Sequence, residues 1–359
     1  MSYHPGVPRR TRRTPARPTG DRLAQGTVQV ARQAAKAVRR HEPTELQLGG
    51  AGSAARDYAE ASRSPATRRA YRTAWRLFSE WCAGPEAPPG TQPLPASPLL
   101  VAAYAARLAQ LGRRPSTVAQ VMAAISVAHQ AAGHPSPTRT AGVRAVVAGV
   151  RRTHGAATSG KTALETPALR EALSAIPEGT SRGIRDRALL LLGFAGGFRR
   201  SELAGLDVED LELVSEGLRI RLRRSKTDQE GRGRLVGIPY GLHPETCPVR
   251  AVQAWREMAG ISSGPLFRTI DRAGRILPLR CSERAVARAV QRAVRASGGD
   301  PSKVSAHSLR SGFVTSAARA GAPVWAIQLQ TGHRSLAQLH VYVRPATLFQ
   351  GNAARYVGL

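Results

Sequence analysis

The chain has 359 residues, 42% of them hydrophobic, and a formal net charge of +29 at pH 7, which favours two domains over one and nucleic acid as partner. Three widely spaced cysteines, Cys82, Cys247 and Cys281, exclude a disulfide framework and a paired-cysteine zinc site. The same cysteine usage fits a cytosolic setting, and no apolar run reaches the roughly 18 residues of a membrane span.

Residues 1–52 mix arginines with Pro, Thr and Gly and read as a disordered basic tail, with a short helix over 26–41. No apolar stretch follows, so the tail is not a secretory signal. Residues 53–152 read as one compact helical domain. Ser64-Pro65 is an N-cap followed by proline at the first helical position, and Tyr71, Trp75, Phe78 and Cys82 then recur at helical spacing. After a Pro-rich loop, Ser97-Pro98 starts a second helix reaching about Leu111. Ser116 caps a third, which runs to Ala132, and a fourth spans 137–151.

Residues 153–165 are polar and Gly-rich, and read as a linker. They include Gly155 to Thr162, a full match to the phosphate-binding loop pattern GxxxxGK[ST]. That loop must follow a strand and open a helix. Here Thr166-Pro167 starts a helix afresh, so the match reads as chance in a linker.

The second domain, 166–359, is predicted to be mainly α with a small β-sheet. Helices are expected at 183–196 and 200–206. Gly217 to Arg223 and Arg234 to Ile238 alternate in polarity and flank the turn-rich Thr227 to Gly231, which predicts a β-hairpin with Lys226 near its turn. Helices follow at about 248–259, 282–297, 305–320, 323–331, 335–342 and 346–354.

Six residues of this domain fit metal-free phosphodiester transfer. Arg199 precedes Ser201-Glu202-Leu203, and a guanidinium's parallel donors match two phosphate oxygens. By type alone Arg200 is an equal candidate, and Glu202 either orients the guanidinium or forms a surface ion pair. Lysine supplies only four of the 53 basic residues. Lys226 is one of them, and an ammonium can release a proton to a leaving 5′ oxygen where a guanidinium cannot. His307 and Arg310 share a helix face at i and i+3, either reaching one phosphate together or facing solvent. His333 follows a helix-ending Gly332 and is either a cap or a donor to a phosphate oxygen. Tyr342, between two valines, is either a core residue or a nucleophile. With a phenol pKa near ~10, attack requires cations around the phosphate that favour phenolate.

The order Arg199, Lys226, His307-x-x-Arg310, His333, Tyr342, together with Gly197-Phe198-Arg199-Arg200-Ser201-Glu202-Leu203, resembles the tyrosine recombinase (phage integrase) family. The resemblance covers about residues 53–359. It implies a two-domain DNA clamp, with a helical core-binding domain and an α+β catalytic domain. It selects Arg199 over Arg200. Arg199 and Arg310 would hold the scissile phosphate, with His333 as a further donor. Lys226 would protonate the leaving 5′ hydroxyl and His307 would assist proton transfer. Tyr342 would form a 3′-phosphotyrosyl link. No cofactor or metal is implied. The expected partners are paired recombination sites, a homotetramer that exchanges strands through a Holliday junction, and accessory DNA-bending or directionality factors. Leu348, Phe349, Ala353, Tyr356 and Val357 would dock on a neighbouring protomer. Thr331-Gly332-His333 departs from the commoner Leu-Gly-His, and no separate arm-binding domain is discernible. A single-strand topoisomerase and a non-catalytic DNA binder on the same fold are the rival readings.

Overall fold

The computed structural model describes residues 62–155, 160–223 and 233–348, together with 352, 354 and 357. The 1–52 tail and Lys226 lie outside these residues, as do 349–351 and 353 of the expected last helix and Phe349, Ala353 and Tyr356 of the docking tail. The chain divides into two compact units, Met1–Thr158 and Ser159–Leu359.

In the first unit, α1 spans Pro65–Cys82 and α2 spans Pro98–Gln110. Ser64 and Ser97 cap them as predicted, their hydroxyls accepting from the amides of Thr67 and Leu100, each at 3.2 Å. The third helix, α3 (Pro115–Ala131), starts earlier than predicted. Pro115 takes the first position with its preset φ, so Arg114 and not Ser116 is the N-cap residue. The fourth helix also departs from expectation. Pro137–Arg139 forms a single 3-10 turn, and α4 runs over Ala141–His154. Extended backbone at Thr140 separates the two. Phe78, Val101, Val118 and Ile125 are fully buried at the centre of this unit.

The second unit contains α5 (Thr166–Ser174), α6 (Ser181–Ala195), α7 (Arg200–Gly205), α8 (Pro248–Met258) and α9 (Glu283–Ala296). It ends with α10 (His307–Arg319), α11 (Val324–Thr331) and α12 (Leu336–Ala346). The central helix is α6, packed against α8, α9 and α10. Its run Ala188 to Leu192 is buried all round, which fits an interior helix. Each such leucine contributes roughly 1.5–3 kcal/mol by leaving water.

The predicted hairpin is larger than expected. Strands β1 (Leu211–Val214), β2 (Gly217–Leu222) and β3 (Arg234–Pro239) form one antiparallel sheet in that order. Leu218, Ile220 and Leu222 turn inward while Arg219 and Arg221 turn out. A second hairpin, β4 (Arg268–Ile270) with β5 (Ile276–Arg280), was not anticipated. Its strands are short and arginine-bearing, and their burial does not alternate, so they lack a period-two signal.

Gly155 to Thr162 follows helix α4 and not a strand, and the next helix starts at Thr166. The amide of Thr162 donates to the Lys303 carbonyl at 2.7 Å. The phosphate-loop reading therefore lacks its strand and its helix. Among the described residues no helix is long and apolar enough to cross a membrane.

Candidate active site

Five of the six predicted site residues fall within the described residues, and the fold gathers them where α7, α10, α11 and α12 meet. Arg199 is the N-cap residue of α7. Its amide donates to Glu202 Oε2 at 2.9 Å, its Nη1 to Glu202 Oε1 at 2.6 Å, and its Nη2 to the Gly332 carbonyl at 3.1 Å. The Glu202 side chain is 1% exposed. It is therefore a buried carboxylate that fixes Arg199, and the surface ion-pair alternative falls away. Arg200 instead pairs with Glu283 on the exposed surface.

Arg310 lies one turn after His307 on α10 and is buried, whereas His307 is exposed, so the solvated-face alternative fails for Arg310 alone. Its Nη1 donates to two carbonyls, Gly197 at 2.6 Å and Thr331 at 2.7 Å. Its Nη2 is buried with no hydrogen-bond partner. Orphaned donors of this kind are costly, and here the donor is available to an anionic oxygen. Burial, then the charge of Arg199, lowers the Arg310 pKa to about 10, which leaves it cationic at neutral pH. The approach is close because Gly197 has φ +53° and no side chain: a Cβ there would meet Thr331 Cγ2 at 2.7 Å.

His307 Nε2 lies 2.9 Å from Tyr342 Oη. Burial, then the charges of Arg310 and Arg199, lowers the His307 pKa. The shift favours the neutral ring at pH 7, whose Nε2–H tautomer donates to the phenol oxygen and whose Nδ1–H tautomer leaves Nε2 free to accept the phenol proton. Tyr342 is half-buried on α12 and packs into a small cluster with Val314, Ile327 and Leu339. The core and nucleophile readings are thus compatible: the ring is anchored while the hydroxyl meets His307.

His333 follows Gly332, whose left-handed φ of +64° ends α11. Thr331 Oγ1 donates to the Ile327 carbonyl at 2.6 Å, so it accepts from His333 Nδ1 at 2.7 Å. Burial, followed by Arg310 and Arg199, lowers the His333 pKa to about 3. In the free protein Nε2 is therefore a bare acceptor. Donation to a phosphate oxygen requires a second proton on this ring, a condition that the sequence did not reveal.

Two further members were missed. Thr331 sets the His333 tautomer; its signal was the departure from Leu-Gly-His. Arg234, at the start of β3, donates from Nη1 to the Gln330 carbonyl at 2.7 Å, and its Nη2 lies 3.6 Å from Glu202 Oε2. One more arginine in an arginine-rich chain carries no signal in its type.

No group of three or more metal-ligating side chains occurs among the described residues. The arrangement is chemically able to bind one anionic centre through guanidiniums and to exchange a proton between an imidazole and a phenol.

The sequence profile of the phage integrase family matches residues 164–348. An integrase/recombinase xerD homolog from Selenomonas ruminantium is 37% identical over 297 residues, covering 82% of this chain and 86% of that one. The chain belongs to the phage integrase family. Tyrosine recombinase XerD of Xanthomonas campestris pv. campestris is 35% identical over 178 residues, 48% of this chain and 52% of that one. The family fold extends over both units. A lambda integrase dimer bound to a COC′ core site matches with TM-score 0.55 at 18% identity, covering 90% of this chain and 87% of that chain. The Tn1549 transposon integrase in complex with transposon right end DNA matches with TM-score 0.56 at 16% identity, over 80% of this chain and 92% of that one. The family profile spans every described member of the site, from Arg199 to Tyr342.

Proposed function

We propose that the protein is a site-specific DNA recombinase that cleaves and rejoins DNA strands through a 3′-phosphotyrosyl intermediate. The observation that carries the reading is Tyr342 Oη, 2.9 Å from a neutral His307 and beside a buried Arg310 with an unpartnered donor.

Arg199 and Arg310 hold the non-bridging oxygens of the scissile phosphate. The Tyr342 proton passes to His307 as Oη attacks phosphorus. The phosphorus–O5′ bond breaks, and the leaving oxygen takes a proton, for which Lys226 is the donor chosen on chemical type and chain order. One phosphodiester replaces another, so the reverse step needs no further energy source. Developing negative charge meets guanidiniums that the protein has already fixed, which favours the transition state.

Double-stranded DNA is the partner, and a homotetramer on two paired sites, working in the cytoplasm, is the active assembly. Lambda integrase, solved as a tetramer bound to a Holliday junction, supports that reading. The test is to trap SDS-resistant protein–DNA adducts in cells that carry the native locus and to sequence the attached ends. Adducts at discrete sites that vanish with Tyr342→Phe support recombination. Adducts scattered without sequence preference point to a topoisomerase. Intact binding without adducts points to a non-catalytic DNA binder.

A further inference from the structure

Three consecutive carbonyls end helix α11, and each accepts from a different arginine. Gln330 O takes Arg234 Nη1 at 2.7 Å, Thr331 O takes Arg310 Nη1 at 2.7 Å, and Gly332 O takes Arg199 Nη2 at 3.1 Å. The last carbonyls of a helix lack intrahelical partners and carry the negative end of its dipole. They therefore form a template on which three cations are set side by side. Arg199 and Arg310 have roles in the reading above, whereas Arg234 has none.

Arg234 comes from a different element, the first residue of β3, paired with Leu222 across the sheet. Its side chain is 21% exposed, and its Nε and Nη2 are buried without hydrogen-bond partners. Nη2 stands 3.6 Å from Glu202 Oε2, an ion-pair separation too long for a hydrogen bond. A Cβ on Gly332 would meet Arg234 Nε at 2.8 Å, so the turn into His333 rests directly on this guanidinium. Gln330 strengthens the same joint, its side-chain amide donating to the carbonyls of Ala195 at 2.9 Å and Gly237 at 3.1 Å. A buried cation without full hydrogen bonding is a poor device for stability alone. Its contacts instead reach the supports of Arg199, Arg310 and His333 at once.

We propose, on the recombinase reading above, that Arg234 is a positioning residue for DNA cleavage. It holds the carboxyl end of α11 and Glu202 so that Arg199, Arg310 and His333 address one phosphate together. Arg234 acts through these groups and makes no phosphate contact of its own.

The experiment compares wild type, Arg234→Ala, Arg199→Ala and the double variant on a nicked recombination site that traps the phosphotyrosyl adduct. Single-turnover cleavage is followed at saturating DNA, and binding is measured across a salt series. Arg234→Ala is expected to slow cleavage by roughly 100-fold, the scale of a small misplacement of catalytic groups, while affinity stays near that of wild type. The salt dependence of binding should keep its slope. A direct phosphate contact would lower that slope by about 0.9 and overturn the positioning role. In the Arg199→Ala background, loss of Arg234 should add little, since the two act as one unit. Fully additive losses, or unchanged cleavage by Arg234→Ala, would equally overturn the proposal. If Arg234→Ala does not fold, Arg234→Lys serves in its place. An ammonium cannot serve Gln330 and Glu202 in the geometry of a planar fork, so a folded lysine variant must still cleave more slowly than wild type. Absence of adducts from wild type would instead count against the recombinase reading itself.

Discussion

His307 Nε2 and Tyr342 Oη stand 2.9 Å apart although 35 residues separate them in the chain. The contact joins the first residue of α10 to the middle of α12. Replacing Tyr342 with Phe removes the proposed nucleophile and one hydrogen bond while the ring stays in its cluster. Adduct formation should fall to background, with DNA affinity unchanged and a stability loss of about 0.5–1.5 kcal/mol. A gel-shift titration beside a denaturant melt checks this. Loss of binding together with cleavage would make Tyr342 a structural residue.

The same pair predicts a pH profile. Burial and two neighbouring guanidiniums disfavour the His307 proton, so the base form persists below the ordinary histidine range. Cleavage at subsaturating DNA, which reports free-enzyme ionisations, should not decline as pH falls through about 6.5. Its acid limb should lie lower. An inflection at or above that value would remove His307 from the role of base.

The site was legible as an order of residue types and illegible as a place. Chain order names Arg199, His307, Arg310, His333 and Tyr342, but only packing shows Arg310 sharing its Nη1 between Gly197 and Thr331. Local signals read well where the backbone itself decides. Ser64-Pro65 and Ser97-Pro98 fix φ and supply the cap within a few residues. They failed where two local choices compete, as at Ser116, which Pro115 displaces from the cap position. Glu202 illustrates the remaining gap. A glutamate three residues from an arginine is usually a surface pair, and burial alone turns it into a fixed support.

His333 should gain a proton when DNA binds. Its pKa of about 3 arises from burial and from the cations around it, and a bound phosphate offsets those cations and favours the charged ring. Binding that takes up a proton strengthens as pH falls. Calorimetry in buffers of different ionisation enthalpy should show net uptake by wild type, reduced in His333→Asn. Equal uptake by both proteins would place the proton elsewhere.

Gly197→Ala tests the platform beneath Arg310. The residue has φ +53°, and a Cβ would stand 2.7 Å from Thr331 Cγ2. The left-handed backbone alone costs an alanine about 1–2 kcal/mol, and the contact forces the end of α11 away from α6. Cleavage should fall together with stability. Gly205→Ala is the control, since a Cβ there meets nothing within 4 Å and φ is ordinary; it should melt like wild type.

The last prediction concerns the first unit. His129 is fully buried, its Nδ1 facing the Ile125 carbonyl at 2.8 Å and its Nε2 accepting from the Ala96 amide at 2.9 Å. A proton on Nε2 would oppose that amide, and burial is the main cause that lowers the His129 pKa. The unfolded chain therefore takes up the proton first. The stability contribution is complete above the unfolded value near 6.5 and is lost as pH falls toward the folded value, at about 1.4 kcal/mol per unit of separation. Trp75 packs edge-on against His129 with ring centroids 6.1 Å apart, so tryptophan fluorescence, followed in a chain with Trp255 and Trp325 replaced by Phe, reports on this unit. Denaturant melts of the full chain between pH 7 and 5 should show a falling midpoint for this transition. His129→Gln should be less stable at pH 7 but flatter across the same range. A slope unchanged by that substitution would assign the acid sensitivity to another group.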